Sequence, residues 1–361
     1  MYLYTHERNF GCRFYEVIYK GLKTIFLENE KIRVGILVDK GTDIFEFLYK
    51  PKDIDFMWKS YLGIKGSNFL PSSFQENGNF LDLYFGGWQE LFPNGGDAVV
   101  YKGAKLPMHG EVHTIPWQYQ VLKDNPDEVR IKFNVRTYRT YFYIEKILSI
   151  KRNESILKIE ETLTNESRES MDFMWGHHPA FGSPFLSEDC IVDLPDCNIL
   201  TDEINLSPDT GRLAIAHKSK WPITLGRKGE KIDLSIIPPL KVNSHDRSYI
   251  YGFKEGWYAI ANKKFGVGFG LTFNPAIFKY LWFWQVYGGA VGYPWYSTTY
   301  NVAIEPNSSY PPNLLDSIKR KTNLSLKPGE SINSEILAVV FESDGRVKRI
   351  EKNGKVIIKP G

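Results

Sequence analysis

The chain has few cysteines and almost no net charge, and each scarcity excludes a class of protein. Cys12, Cys190 and Cys197 are the only cysteines among 361 residues. Three cysteines cannot all pair within one chain, and these lack metal-ligand spacing, so a reducing compartment is expected. Lysine and arginine total 45 against 42 acidic residues, which leaves a net charge of +3. This balance predicts neither a nucleic-acid nor a membrane partner.

The start of the sequence and its longest uncharged run predict neither a secretory leader nor a membrane span. Its start, MYLYTHERNF, carries charge early and has no apolar h-region, so no leader is expected. The longest uncharged run, residues 280–304, contains Gln285, Pro294 and Asn301, which argue against a transmembrane helix. We expect this run to form an aromatic wall or loop. The protein is expected to be cytoplasmic, as a monomer or a homodimer.

Alternating apolar residues are the dominant pattern along the chain. In EVRIKFNV, residues 128–135, every second side chain is apolar, and IRVGILVD at 32–39 repeats the pattern. Turn signals such as NPDE and KNGK separate these segments. One short helix is predicted at 312–319, PNLLDSIK. The spacing of strands predicts an all-β protein in which residues 1–361 form a single large antiparallel β-sandwich domain.

The first polar motif is GGWQELFPNGG, residues 86–96, in which glycine pairs flank an aromatic and acidic centre. The glycines indicate tight turns. The motif is not a phosphate-binding loop, because the Lys-Ser/Thr ending and the following helix are missing. Taken alone, it is most simply interpreted as a structural turn with a solvated Glu90.

The second motif, LPMHGEVHTIPW at residues 106–117, has two imidazoles and a carboxylate at alternate positions. If the segment is extended, His109, Glu111 and His113 project to the same side. Such a set could hold a metal, bind a polar substrate or form a hydrogen-bonded cluster at a sheet rim. No further ligand cluster with suitable spacing accompanies it, so no metal is expected.

Two later motifs contain candidate acid–base groups. In GHHPAFG, residues 176–182, the adjacent His177 and His178 point to opposite faces of an extended strand, so both cannot enter one cleft. An imidazole there could move protons near neutral pH, or both rings could be satisfied by backbone carbonyls. In NVAIEPNSSYPP, residues 301–312, Glu305 follows an apolar run. It could be a partly desolvated base or an ordinary edge carboxylate.

Aromatic residues concentrate between these last two motifs. The set comprises Trp282, Trp284, Tyr287, Tyr293 and Trp295. In β proteins such residues mostly form the core. Flat apolar faces also suit sugar rings, which expose C–H patches between their hydroxyls, so Trp284 is a candidate stacking residue.

In this order, the motifs resemble the bacterial branch of the aldose 1-epimerase (galactose mutarotase-like) family. The matching segments are GGWQELFPNGG, HGEVHTIPW, HHPAF and EPNSSYP, and LKPGES resembles the family's last sandwich turn. The resemblance runs from about residue 86 to about residue 330. It implies a large antiparallel β-sandwich that binds sugar on a concave sheet face.

The resemblance also implies roles for particular residues. His178, which is followed by Pro-x-Phe, matches the catalytic histidine, and Glu305 matches the catalytic carboxylate. His109 matches the substrate-binding histidine. Asp246, in HDRSYIYGF, resembles an aspartate that holds sugar hydroxyls. His177 should then point away from the cleft into a supporting hydrogen bond.

Three positions depart from the family pattern. Gln89 stands where the early loop usually has proline. Glu111 and His113 stand where bacterial relatives often have Phe and Arg after the HG pair. Gln89 and Glu111 are therefore candidate substrate-binding residues, and the identity of the sugar stays open.

The implied activity is the interconversion of the anomers of a free aldohexose, a small-molecule reaction without a cofactor or metal. An ionised Glu305 would take the proton of the anomeric hydroxyl, and a protonated His178 would protonate the ring oxygen. The pair is expected to converge across a pocket just wide enough for a pyranose. Their mutual field would favour both charged forms.

The sequence leaves three alternatives open. Arg136 or Arg139 could clamp the phosphate in a hexose-6-phosphate epimerase. A non-catalytic carbohydrate-binding protein could keep the fold and the stacking face. A metal-dependent sugar isomerase could use His109, Glu111 and His113.

Overall fold

Antiparallel β-strands make up most of the structure, a computed structural model that describes residues 8–67 and 78–359. Residues 1–7, in the segment where no leader is expected, lie outside the described residues. The first strands along the chain are β1 (Arg13–Tyr19), β2 (Leu22–Glu28), β3 (Ile32–Leu37), β4 (Asp43–Tyr49), β5 (Ile54–Asp55), β6 (Trp88–Leu91), β7 (Val99–Tyr101), β8 (Ala104–Leu106), β9 (Gln118–Asn125), β10 (Glu128–Arg136), β11 (Phe142–Lys151), β12 (Ile156–Asn165), β13 (Met171–Phe173) and β14 (Gly176–Phe181).

The remaining strands begin after the histidine pair. They are β15 (Cys190–Asp193), β16 (Asn198–Thr201), β17 (Lys218–Lys220), β18 (Ile223–Leu225), β19 (Lys231–Asp233), β20 (Ser244–Tyr251), β21 (Trp257–Asn262), β22 (Val267–Thr272), β23 (Tyr280–Tyr287), β24 (Tyr300–Asn307), β25 (Leu324–Leu326), β26 (Ser331–Glu342), β27 (Val347–Ile350) and β28 (Val356–Ile358).

Two large sheets organise these strands. The 12-stranded sheet has the order β1-β2-β3-β4-β6-β14-β24-β23-β20-β16-β17, with β5 paired to β4. The eight-stranded sheet has the order β15-β21-β22-β26-β12-β11-β10-β9. Buried side chains from both sheets form one hydrophobic cluster. The predicted antiparallel β-sandwich is therefore confirmed.

Local sequence explains why individual strands form where they do. In β10, every second side chain is buried, from Val129 to Val135, as the alternation predicts. Central strands such as β14, β21 and β22 are buried on both faces and show no such alternation. The Asn-Gly signal predicts the β27–β28 hairpin, where Gly354 has φ +86°.

Within the described ranges, the structure has two α-helices. The helix predicted at 312–319 is α2 (Leu314–Arg320), and the side chain of Asn313 caps it by accepting from the Asp316 N–H. The helix α1 (Gly78–Leu83) was not predicted, because six residues are too few to show helical periodicity. The uncharged run at 280–304 forms β23, a loop and the start of β24. Among residues 8–67 and 78–359, no helix is both long and apolar enough to cross a membrane.

A cluster of charged side chains is buried between the two sheets. Lys146 Nζ lies 2.6 Å from Glu90 Oε2 and 3.7 Å from Glu161 Oε1. The Trp175 indole donates to Glu90 Oε1 at 2.9 Å. Burial opposes the charge of Lys146, but Glu90 and Glu161 outweigh it and raise the Lys146 pKa. The interpretation of Glu90 as a solvated turn residue is wrong, since Glu90 is 2% exposed.

We expect Lys146→Ala to lower the free energy of unfolding by about 3–5 kcal/mol, because two buried carboxylates lose their shared counter-charge. Urea denaturation measures the change. The matched control is Lys158→Ala on the neighbouring strand, where the lysine pairs with Glu160 and Glu335 at a solvated face. The control should cost about 1 kcal/mol or less. Equal losses in both variants would contradict the role assigned to Lys146.

Candidate active site

His178 and Glu305 meet on one face of the 12-stranded sheet. Strands β14 and β24 are antiparallel neighbours, with Gly176 paired to Asn307 and Ala180 to Ala303, so positions 178 and 305 lie opposite each other. His178 Nε2 lies 3.5 Å from Glu305 Oε1. The residues are 4% and 2% exposed. We expected the two side chains to be separated by the width of a pyranose. That expectation is wrong, because the two groups approach each other directly.

His177 leaves the same strand on the opposite face, between the sheets. Its Nε2 lies 3.0 Å from Glu161 Oε2 on β12. The Trp88 indole donates to its Nδ1 at 3.2 Å. The alternation of an extended strand therefore separates the adjacent imidazoles, one toward the buried charge cluster and one toward Glu305.

The HG segment turns sharply and is not extended. His109 has φ +60° and Gly110 has φ +78°. A Cβ at Gly110 would lie 2.0 Å from the Phe92 carbonyl oxygen, so this close approach requires glycine. The His109 ring contacts the Gly95 carbonyl through Nδ1, and its centroid lies 5.5 Å from that of His178. The two glycine-containing motifs thus meet beside the pair.

Glu111 is not at the site. Its carboxylate accepts from the backbone N–H groups of Tyr138 at 2.8 Å and Arg139 at 3.1 Å, and from the Thr140 hydroxyl at 3.3 Å. The prediction that His109, Glu111 and His113 share one side was wrong, because the left-handed turn at the HG pair breaks the alternation. Across residues 8–67 and 78–359, no three His, Cys, Asp or Glu side chains are arranged to hold a metal ion.

Gln89 and Trp284 lie on the same sheet face as His178. Gln89 is paired with His178 across β6 and β14, and its amide donates to the Gly86 carbonyl at 2.7 Å. The Trp284 ring centroid lies 5.9 Å from that of His178. The Trp284 indole donates to His245 Nε2 at 2.9 Å, which fixes the ring on the floor of the site.

Asp246 faces away from the pair, contrary to expectation. Its carboxylate accepts from the Arg212 and Leu213 backbone N–H groups at 2.8 and 3.1 Å and from Arg212 Nε at 3.1 Å. The following residue, Arg247, is paired with Trp284 across β20 and β23 and so lies on the site face. Sequence reasoning missed Arg247, because β20 begins with four successive polar residues, Ser244 to Arg247, so no alternation shows which of them face the site.

Aromatic side chains cover the pair. Phe80 lies in α1, and Tyr84 directly follows this helix. Trp58 and Trp295 pack beside them. The Tyr84 hydroxyl lies 3.3 Å from His178 Nδ1, and the ring centroids of Phe80 and His109 are 4.2 Å apart. These cover residues belong to no polar motif, so the sequence offered no signal for them beyond their aromatic character.

Burial controls the protonation of the site. It lowers the pKa of His178 to about 3, and the nearby His109 adds to the effect. Burial also raises the pKa of Glu305 well above its ordinary value, although Arg247 opposes this. The pKa of His109 falls to about 4, again chiefly through burial. These pKa shifts favour a neutral imidazole and a protonated carboxyl, whereas the sequence led us to expect both groups to be charged.

A cavity of about 1030 Å³ lies elsewhere, against the eight-stranded sheet. Lys132, Glu145 and Glu335 are among its lining residues, and its charges are largely paired, as between Lys132 and Glu145 at 2.9 Å. Arg136, a candidate phosphate clamp, is on the same sheet and donates twice to Glu166. This cavity and this arginine are separate from the pair.

Comparison with solved structures gives the same fold at low sequence identity. A candidate aldose 1-epimerase from Klebsiella pneumoniae aligns with a TM-score of 0.71 at 16% identity, over 92% of this chain and 88% of that one. A galactose mutarotase-like protein from Clostridium acetobutylicum gives a TM-score of 0.61 at 16% identity, over 92% and 99% of the chains. A galactose mutarotase related enzyme from Lactobacillus acidophilus gives 0.59 at 18% identity, over 89% and 98%. No curated protein matches the chain.

The sheet order and these alignments give the chain the galactose mutarotase-like β-sandwich fold. The chain belongs to the family described as a domain of unknown function (DUF4432), whose sequence model matches residues 19–213, more than half of the chain. The structural likeness at this identity establishes the fold. Activity has to be argued from the site itself.

We expect the imidazole signals of His178 and His109 to stay unchanged between about pH 5 and pH 8, because burial keeps both rings neutral across the range in which histidine normally titrates. Two-dimensional ¹H–¹⁵N NMR of the rings measures this. Loss of signals in His178→Asn assigns the His178 ring. A His178 midpoint near its ordinary pKa of 6.5 would contradict the effect of burial.

Proposed function

We propose that the protein is an aldose 1-epimerase that interconverts the anomers of a free aldohexose. The observation that carries the proposal is the 3.5 Å approach of His178 Nε2 to Glu305 Oε1 on a buried sheet face. The two oxygens that exchange protons in mutarotation, the anomeric hydroxyl and the ring oxygen, are bonded to the same carbon. Two groups that serve both oxygens must therefore be close neighbours, as these are.

Mutarotation consists of ring opening and ring closure. In each of these steps, one proton is removed from the sugar and one is delivered to it. On ring opening, one member of the pair takes the hydroxyl proton of C1 while the other protonates the ring oxygen. The bond between C1 and the ring oxygen breaks, and an aldehyde forms. After rotation about the C1–C2 bond, closure on the other face reverses both transfers. The pair then returns to its starting state, and no co-reactant is consumed.

The pair carries one mobile proton in either of two arrangements. A neutral His178 with a protonated Glu305 has the same number of protons as an imidazolium with a carboxylate. Burial favours the first arrangement. Glu305 then acts as the acid for the ring oxygen, and His178 acts as the base for the anomeric hydroxyl. This assignment exchanges the roles that the family resemblance implied.

The charges around the pair support a neutral sugar over a phosphorylated one. Arg247 Nε lies 2.6 Å from Asp202 Oδ2, so its charge is compensated. Lys40 Nζ lies 2.5 Å from Asp43 Oδ2 and is compensated likewise. A phosphate would have to compete with a carboxylate for either cation.

We expect His178→Asn and Glu305→Gln each to lower kcat by about 10²–10⁴-fold while the fold is retained, because each removes one proton-transfer group. Anomer-exchange NMR against free and phosphorylated sugars measures the rate, and circular dichroism measures the fold.

Two matched controls separate this loss from general effects of substitution. His217→Asn and Glu335→Gln make the same changes away from the pair and should leave the rate within about twofold of wild type. Normal exchange in His178→Asn or Glu305→Gln would remove that residue from the mechanism. Binding of a sugar without any exchange by the wild-type protein would instead assign a carbohydrate-binding protein.

A further inference from the structure

A second polar group lies on the same sheet face, outside the motifs. Asp43 begins β4, and its Oδ2 accepts from Lys40 at 2.5 Å and from the Gln89 amide at 3.3 Å. The adjacent Ile44 is paired with Trp88, whose indole contacts His177 between the sheets. By alternation, Asp43 and Gln89 therefore face the side on which His178 lies.

We propose that Asp43, Gln89 and His113 form a hydroxyl-binding subsite of the sugar site, which recognises hydroxyls of a neutral sugar away from its anomeric carbon. The inference rests on the proposed function and deepens it. It assigns to Asp43 a role in substrate recognition, and it makes the free hydroxyls of the sugar the feature that this part of the site selects.

The unpaired atoms of this group carry the argument. Asp43 Oδ1, Gln89 Oε1 and His113 Nε2 have no hydrogen-bond partner among the described residues. The three residues are 1%, 0% and 2% exposed. Leaving buried polar atoms without partners is costly, so such atoms are rare unless a ligand or water binds them. Lys40 Nζ donates both to Asp43 Oδ2 and to the His113 carbonyl, and the Phe80 ring packs against both His113 and His178. The three residues therefore lie together beside the proposed active site, which indicates a place where a polar ligand binds.

The spacing suits a single sugar ring. Gln89 is one strand away from His178, and Glu305 is on the next strand beyond His178. Asp43 is on the strand next to Gln89, so the backbones of Asp43 and Glu305 are about 14 Å apart, three strand spacings. Side chains that extend toward each other from both ends can span one pyranose whose anomeric carbon lies over His178 and Glu305.

The chemistry of the atoms selects hydroxyls over anions. Asp43 Oδ1 and Gln89 Oε1 are acceptors, and so is His113 Nε2, because the ring is neutral and its Nδ1–H faces the Met108 and Gly110 carbonyls. A sugar hydroxyl can donate to any of these three acceptors. A carboxylate or a phosphate dianion would meet three acceptors, and the neighbouring Lys40 charge is already paired with Asp43.

The decisive variant is Asp43→Asn, which keeps the shape of the side chain and removes its charge. We expect KM for the preferred sugar to rise about tenfold or more, with kcat within about threefold, because the lost contact is made far from the reacting atoms. The deoxy sugar that lacks the bound hydroxyl should bind no worse to Asp43→Asn than to wild type. Discrimination at that one ring position is thereby lost.

Two further variants keep the test interpretable. Gln89→Met preserves volume, removes the acceptor and should also raise KM, even if Asp43→Asn fails to fold because Lys40 loses its partner. Asp193→Asn is the matched control. Asp193 is 3% exposed on β15, where it accepts from Arg346 at 3.0 Å, and its variant should leave KM unchanged.

Saturation-transfer NMR of binding, with glucose, galactose and their monodeoxy derivatives, separates this inference from the proposed function. If wild type exchanges anomers and both subsite variants keep the wild-type KM and deoxy profile, the subsite is overturned and the function stands. If wild type binds sugar without exchange and Asp43→Asn weakens binding, the subsite stands and the function is overturned. If no sugar binds, or if binding occurs without exchange and is unaffected by the variants, both are overturned.

Discussion

The structure depends on one constraint, the alternation of side chains along β14 in the interior of a large sheet. Because β14 is paired on both sides, by β6 and β24, its backbone direction is fixed and its two faces are distinct environments. His177 faces the eight-stranded sheet, and His178 faces the opposite side. Neighbouring strands follow the same rule, so Glu90 joins the inner group while Gln89 joins the outer one.

Burial has different consequences on the two faces. Between the sheets, Lys146 lies close to Glu90 and Glu161, and the attraction between these opposite charges stabilises the charged forms of the groups despite their burial. On the outer face, His178 and Glu305 lie under aromatic rings and far from a net counter-charge, so burial favours their uncharged forms. A proton that can reside on either partner is the property that the proposed reaction needs. The fold supplies it by placing two groups with opposing pKa shifts at one position across adjacent strands.

The fold and part of the site could be predicted from the sequence. The alternating pattern of β10 and the Asn-Gly turn before β28 are local signals, and such signals were sufficient to predict the β-sandwich. The period of two also separated His177 from His178. The wrong predictions at the site also have local causes, but these causes leave no pattern in the sequence. His109 adopts a left-handed backbone that no pattern announces, and this displaced Glu111 from the site.

Other features depend on tertiary structure alone. Asp246 and Arg247 are adjacent, and only the sheet decides which one faces the pair. Asp43 lies outside every motif and reaches the site because β4 neighbours β6. The helix α1 is too short for a periodic signal, yet it provides Phe80 over three imidazoles.

The measurement that tests the central claim most directly is a double-variant cycle on the anomer-exchange rate. It compares wild type, His178→Asn, Glu305→Gln and the variant that carries both changes. If the two groups act as one proton-passing unit, the double variant should be about as slow as the slower single variant, since either change already disables the unit. Losses that multiply would show two independent contributions and would contradict the account.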